Sequence, residues 1–304
     1  MVEKKLSVWL EGKIIDSDKA TVPILTHSLQ YGSGIFEGIR VYETSKGVAI
    51  FRLGDHIRRF LNSAKVYSMK LNYGFDEITD ACIKLVKTNG LASGYVRPFA
   101  FYHDTRIGVS TEGKGVSVFI AALPFGDYFD GKHEKGVTCK ISSWHRINSS
   151  ILPVEAKASG NYLNSIISSN EARSVGFDEA ILTSGDGYVA EGPGENIFLV
   201  KDGKLITPGA GADILMGITR DSIIKIAMNS GIGIEERAVH REELLTADEV
   251  FFAGTAAEIT HIRRIDSVII NDGVAGPLTK MLAQKYSDAA HGKDPEFMNW
   301  LTFV

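Results

Sequence analysis

Along the first 123 residues, stretches with a two-residue hydrophobic period alternate with stretches of helical period. Residues 6–10 and 13–15 flank Glu11-Gly12, a pattern that predicts a hairpin with a two-residue turn. A strand is expected over 35–42. Period two places Ile35, Glu37, Ile39 and Val41 on one of its faces and Phe36, Gly38, Arg40 and Tyr42 on the other. Ile57, Phe60, Leu61, Ala64 and Tyr67 then recur at helical spacing, which predicts a helix over 55–69. A second helix is expected over 76–89, stopped by Gly90. Residues 95–102 and 116–123 read as two further strands, so 1–123 form a small α+β domain.

The pattern breaks at 124–136, where Pro124, Gly126, Gly131 and Gly136 stand among polar residues, and this stretch reads as a linker. Beyond it, strands are expected over 137–144, 179–183, 188–191, 196–201 and 204–207. Asp186-Gly187 and Asp202-Gly203 sit between such runs as hairpin turns. Helices are expected over 161–173, 220–229 and 278–290. Residues 137–304 therefore read as a larger, β-rich domain with packed helices, and the whole chain as a two-domain α+β protein.

Composition narrows the choice of function. The 304 residues agree with two domains of about 150 residues each. With 33 basic and 37 acidic side chains the formal charge is −4, which argues against a general nucleic-acid binder. The longest apolar runs, such as 116–123, fall far short of the roughly 18 residues of a membrane span, and no apolar segment follows the charged first residues. Two cysteines, Cys82 and Cys139, are too few for a disulfide framework and form no CxxC metal site; they read as buried or half-buried thiols of a cytoplasmic protein. No histidine pair has metal-site spacing. Gly209-Ala210-Gly211 lacks the third glycine of a dinucleotide loop, and Gly32-Ser33-Gly34 lacks the Lys-Ser/Thr of a P-loop.

The candidate chemistry starts at Lys157. Its neighbours Ala156, Ala158, Ser159 and Gly160 are small and leave room for a flat ring against the backbone. Most lysines are merely solvated, so this one becomes a Schiff-base candidate only with partners. Gly217-Ile218-Thr219, just after Leu215, opens a helix and offers N–H groups with a hydroxyl, either as a plain cap or as an anion site. Gly254-Thr255-Ala256-Ala257 is a second small-residue turn with a hydroxyl. Together with the acidic stretch Glu191-Gly192-Pro193-Gly194-Glu195-Asn196, these features point to a phosphorylated aldehyde cofactor.

Further motifs lie in order along the chain: Tyr31-Gly32, Phe36-Glu37-Gly38-Ile39-Arg40, His56-Ile57-Arg58-Arg59, Tyr95-Val96-Arg97-Pro98, Gly160-Asn161-Tyr162 and Gly217-Ile218-Thr219-Arg220. With these the chain resembles, over nearly its whole length, the class IV (fold type IV) pyridoxal-phosphate aminotransferases, most closely the branched-chain amino acid aminotransferases. The resemblance implies pyridoxal 5′-phosphate as cofactor. It implies that Lys157 holds the cofactor and moves the proton between the substrate Cα and the cofactor's C4′ carbon. Glu191 would sit against the pyridine nitrogen and Tyr162 would hydrogen-bond the ring's phenolic oxygen. Arg59, Ile218, Thr219 and Thr255 would bind the phosphate, with Leu215 and Gly217 among the cofactor contacts.

For the substrate, the resemblance implies an α-carboxylate held near Tyr95 and the Thr255-Ala256 backbone, and a distal glutamate carboxylate held by Arg97. An aliphatic side chain would contact Phe36, Tyr128 and Tyr162, on a wall shared with Gly38 and Arg40. Tyr31 and Val109 would reach in from a neighbouring subunit, making a homodimer the minimal active unit, with a higher oligomer such as a hexamer as the larger form. The implied partners are amino acids and 2-oxo acids, and the implied reaction is reversible amino transfer between L-leucine, L-isoleucine or L-valine and 2-oxoglutarate. D-amino acid aminotransferase or aminodeoxychorismate lyase chemistry is the alternative on the same fold, and a pyridoxal-phosphate carrier the non-enzymatic one. A carrier has no need of both Lys157 and Glu191. Two departures from the family pattern, Phe125 in place of a frequent tryptophan and Pro193 in place of a small residue, bear on pocket width and turn stiffness.

Overall fold

The computed structural model describes residues 6–126, 128–129 and 135–304; of the expected linker, residues 127 and 130–134 lie outside the described residues. The chain divides into two compact units, one of residues 1–126, 156–160 and 289–304 and the other of 127–155 and 161–288.

In the first unit, β1 (Ser7–Leu10) and β2 (Lys13–Asp16) form the expected hairpin. Glu11 and Gly12 between them both have positive φ, 45° and 83°, the conformation of a tight hairpin turn. After α1 (His27–Tyr31), the strand expected over 35–42 is instead two, β3 (Gly34–Phe36) and β4 (Ile39–Thr44). Both run antiparallel to β6 (Gly94–Tyr102). The ladder is interrupted beside Pro98, which has no N–H to contribute, although Glu37 N still donates to Pro98 O at 2.9 Å. The alternation of faces survives the interruption: Ile35, Glu37, Ile39 and Val41 are all fully buried.

The hairpin strand β5 (Gly47–Phe51) leads into α2 (Leu53–Val66), which is followed by α3 (Phe75–Asn89). β7 (Val116–Leu123) pairs with both β6 and β1, and the C-terminal strand Leu301–Phe303 pairs with β5. Both helices bury their apolar stripes in one core: Ile57, Phe60 and Ala64 of α2 and Ile78, Cys82 and Leu85 of α3 meet Ile39, Ile50, Val96 and Ile120 of the strands. Residues 156–160 belong to this unit, not with 161–288, because Ala158 bridges to Ile35 and Phe36 N donates to Lys157 O at 3.0 Å.

The second unit begins with β8 (Val137–His145), α4 (Tyr162–Ser174) and β9 (Glu179–Thr183). It continues through β10 (Asn196–Lys201), β11 (Lys204–Pro208), α5 (Ile218–Asn229), β12 (Ile234–Arg237) and α6 (Arg241–Leu245). It ends with β13 (Glu249–Gly254), β14 (Glu258–Ile265), β15 (Val268–Ile269) and most of α7 (Pro277–Ala290). The strands lie in the order β12-β11-β10-β13-β14-β8-β9, with β15 on β14. Asp202 and Gly203, with φ of 49° and 74°, turn β10 into β11 as expected.

Residues 188–191, expected as a strand, form only isolated bridges, Thr183 with Val189 and Glu191 with Asn196. Their amides go to different partners, Val189 N to Val239 O and Ala190 N to Leu182 O, so no continuous ladder develops. Among the described residues, no helix is long and apolar enough to cross a membrane, and Cys82 and Cys139 are buried thiols.

Candidate active site

In the first unit, Lys157 is fixed by its backbone: its N–H donates to Ser63 Oγ of α2 at 3.0 Å and its carbonyl accepts from Phe36. Lys157 Nζ lies 5.0 Å from the centre of the Phe36 ring. The Arg97 guanidinium lies 4.7 Å from the same ring centre and 5.2 Å from that of Tyr95, close enough for cation–π attraction. Arg97 Nη2 donates to Tyr95 Oη at 3.3 Å, while its buried Nε has no hydrogen-bond partner among the described residues. Gly38 is a steric requirement of this wall, because a Cβ there would fall on the Tyr95 hydroxyl. Arg40 stacks on Phe125 and Tyr42, and Phe125 packs on Tyr95 with ring centres 4.9 Å apart. Phe36, Gly38, Arg40, Tyr95, Arg97 and Lys157 are thus gathered at one place.

Arg59 reaches Glu37 from α2. Its Nε donates to Glu37 Oε1 at 2.6 Å and its Nη2 to Oε2 at 2.9 Å. His56, one turn earlier, places Nδ1 2.6 Å from Oε2. Burial works against the charged form of Glu37, but the charges and hydrogen bonds of Arg59 and His56 outweigh it and hold the carboxyl well below its usual range. Burial also lowers His56 more than Glu37 raises it. The two-residue period puts Glu37 on the apolar face of its strand and assigns it no role. The signal was there, since a carboxylate among Ile35, Ile39 and Val41 demands partners. Tyr31 and Val109 stand apart from this group: Tyr31 Oη accepts from Gly108 N at 3.1 Å, and Val109 is 80% exposed.

In the second unit, Glu191 is held from several sides. Arg146 Nε lies 2.8 Å from Oε1, and Oε2 accepts from Asn196 Nδ2 at 3.0 Å and from Leu215 N at 3.1 Å. Asn196 Nδ2 also donates to Leu215 O at 2.9 Å. Gly217 caps α5 beside this amide, and a Cβ on it would fall on Asn196 Oδ1. Ile218 and Thr219 are buried at the start of the helix, where N–H groups have no acceptor within the helix. The second unit thus brings Glu191, Leu215, Gly217, Ile218 and Thr219 together through Asn196. Asn196 ends the acidic stretch 191–196, whereas Arg146 carries no sequence signal. Tyr162 is the first residue of α4 and is half-buried. Thr255 and Ala256 form the half-buried turn between β13 and β14. Tyr128 packs edge-on against Phe129, and the charge of Glu195, with burial, pushes its phenol up.

Residues 34–265 match the model of the class IV amino-transferases, and the chain belongs to that family. A branched-chain-amino-acid aminotransferase of Escherichia coli (strain K12) is 41% identical over 307 residues, covering 100% of this chain and 99% of its own. The crystal structure of a branched-chain aminotransferase from Thermoproteus uzoniensis with norvaline is similar at a TM-score of 0.94 and 43% identity, over 98% of this chain and 99% of the other. The branched-chain amino acid aminotransferase from Thermobaculum terrenum, in its PLP-bound holo-form, reaches a TM-score of 0.93 at 37% identity, over 98% of both chains.

Proposed function

We propose that this protein uses pyridoxal 5′-phosphate to transfer an amino group reversibly between L-leucine, L-isoleucine or L-valine and 2-oxoglutarate. The observation that carries the reading is the Phe36 ring with two cationic neighbours, the Lys157 amine at 5.0 Å and the Arg97 guanidinium at 4.7 Å from its centre. An amine for a carbonyl, an aromatic wall for an aliphatic side chain and a guanidinium for a second carboxylate are what the two half-reactions require.

The donor sets present suit the cofactor. Glu191, whose carboxylate has Arg146, Asn196 and a backbone amide around it, is the kind of acceptor a protonated pyridine nitrogen needs. The N-terminus of α5 after Gly217, with its first N–H groups and the Thr219 hydroxyl, suits a phosphate. When bound, pyridoxal phosphate supplies the electron sink for the pair left at the substrate Cα. Lys157 Nζ holds the cofactor and carries the proton to and from that carbon. Glu191 keeps the proton on the ring nitrogen, and Tyr162 donates to the ring oxygen. Arg59, Ile218, Thr219 and Thr255 hold the phosphate, supported by Leu215 and Gly217. Tyr95 and the Thr255-Ala256 backbone orient the α-carboxylate, and Arg97 takes the distal carboxylate of glutamate. Phe36 and Tyr128 line the aliphatic side chain with Gly38 and Arg40.

A homodimer is the minimal active unit in this reading, completed by Tyr31 and Val109. Two buried thiols accord with the reducing cytoplasm. The test is a panel of separated L- and D-amino acids, each added alone while the cofactor absorbance is followed. L-leucine, L-isoleucine, L-valine and L-glutamate are expected to react. Preference for D-alanine, or cofactor binding without conversion of glutamate to 2-oxoglutarate, would sink the proposal.

A further inference from the structure

Glu37 has neighbours that would suit an isoleucine better. Ile35, Ile39 and Val41 share its strand face, and all four side chains are fully buried. A carboxylate there loses its hydration and requires partners to stay charged. Those partners lie on one stripe of α2: His56 and Arg59, three positions apart, bind the carboxylate, and Ser63, four further on, binds the Lys157 backbone. A carboxylate only accepts, so the imidazole proton sits on Nδ1 and points at Oε2.

Stability does not explain the arrangement well, because a buried ion pair is often no better than apolar residues of the same volume. What the pair does determine is the plane of the guanidinium. Attachment at both Nε and Nη2 sets the rotation of Arg59 about its last side-chain bonds, and the opposite edge of the fork carries its remaining N–H groups. We infer that Glu37, braced by His56, is a positioning residue that orients the Arg59 guanidinium toward the cofactor phosphate. The inference rests on the phosphate role proposed above for Arg59. His56 acts as a neutral brace, since burial holds it below its ordinary pKa, so the charges in the cluster are one carboxylate and one guanidinium.

The test compares two probes on the full-length chain, pyridoxal 5′-phosphate and pyridoxal without the phosphate, by absorbance titration. Protection against thermal unfolding by inorganic phosphate is measured alongside. Glu37→Gln is expected to weaken pyridoxal 5′-phosphate by about 10- to 100-fold, the scale of loss when the hydrogen-bond partner behind a metal ligand is removed, and to leave pyridoxal unchanged. Protection by inorganic phosphate should fall with it. The double variant Glu37→Gln/Arg59→Gln should bind no more weakly than Arg59→Gln alone, since the two residues act as one unit. Should Glu37→Gln not fold, Glu37→Asp decides. It keeps the charge, draws the anchor back by one methylene, and should still lower the ratio of phosphorylated to unphosphorylated binding. An unchanged ratio in the folded variants, equal losses for both probes, or additive losses in the double variant would overturn the inference while the functional reading stands. A wild-type chain that does not bind pyridoxal 5′-phosphate would overturn both.

Discussion

In the proposed reading, Arg97 serves one substrate and is ignored by another. It lies beneath an aromatic wall, with a buried Nε–H that has no acceptor among the described residues. A glutamate carboxylate can supply that acceptor, whereas leucine cannot. Removing a buried charge partner typically costs about 2–5 kcal/mol of binding, while the contacts of Phe36 with an aliphatic chain would remain. Arg97→Ala is therefore expected to weaken glutamate and 2-oxoglutarate far more than leucine and its oxo acid, measured in single half-reactions. Equal losses would mean that Arg97 is structural or serves the shared α-carboxylate. Lys157→Ala should leave a folded protein without transaminase activity, and borohydride should fix the cofactor to the Lys157 peptide of the wild type; label on another lysine would refute the assignment. Acid stability provides a third check. His56 is held below its ordinary 6.5 and Glu37 below its ordinary 4.5, so in both cases the unfolded chain binds the proton first. Stability contributed by these groups is thus present at neutral pH. It should fall as pH drops below about 6.5 through His56, and again below about 4.5 through Glu37. Urea midpoints between pH 7 and 3 should show that slope, and Glu37→Gln should flatten its acidic part.

At the level of elements, α2 and α3 show what helix ends reveal in a sequence. Both end with the same pair of bonds: Met69 N to Ala64 O with Ser68 N to Lys65 O, and Leu91 N to Val86 O with Gly90 N to Lys87 O. The left-handed position is Gly90 in α3 and Ser68 in α2, with φ of 60° and 54°. A glycine there is a legible stop. The serine is not, so the expected helix ran on to residue 69 while the observed one ends at Val66. The face of α2 is also where Lys157 is anchored. Ser63→Ala would leave the Lys157 N–H without its acceptor in a part-buried place, a loss of about 1–3 kcal/mol. A urea midpoint unchanged from wild type would show that water replaces the hydroxyl without cost.

At the scale of the whole molecule, the first unit is completed by residues distant in sequence. Leu301–Phe303 extends the sheet beside β5, and Arg52 N donates to Trp300 O at 2.6 Å. Deleting 301–304 would uncover the β5 edge and remove part of the core, so a lowered melting temperature and aggregation are expected. Oligomeric state follows from the proposed roles of Tyr31 and Val109: sedimentation should give a dimer or larger, and a fully active monomer would contradict it.

Most strands and helices were legible because local period and turn chemistry dictate them, as at Glu11-Gly12, Gly90 and Asp202-Gly203. Motif order alone also placed the chain beside its family. The sequence did not show that Glu37 and Arg59, 22 positions apart, share a bidentate pair, that Arg146 stands at Glu191, or that 156–160 joins the first unit. Those facts depend on which buried charges meet once the sheets and helices have packed. Tertiary structure alone decides them, because a desolvated carboxylate takes its partners from whatever elements lie beside it, at any distance along the chain.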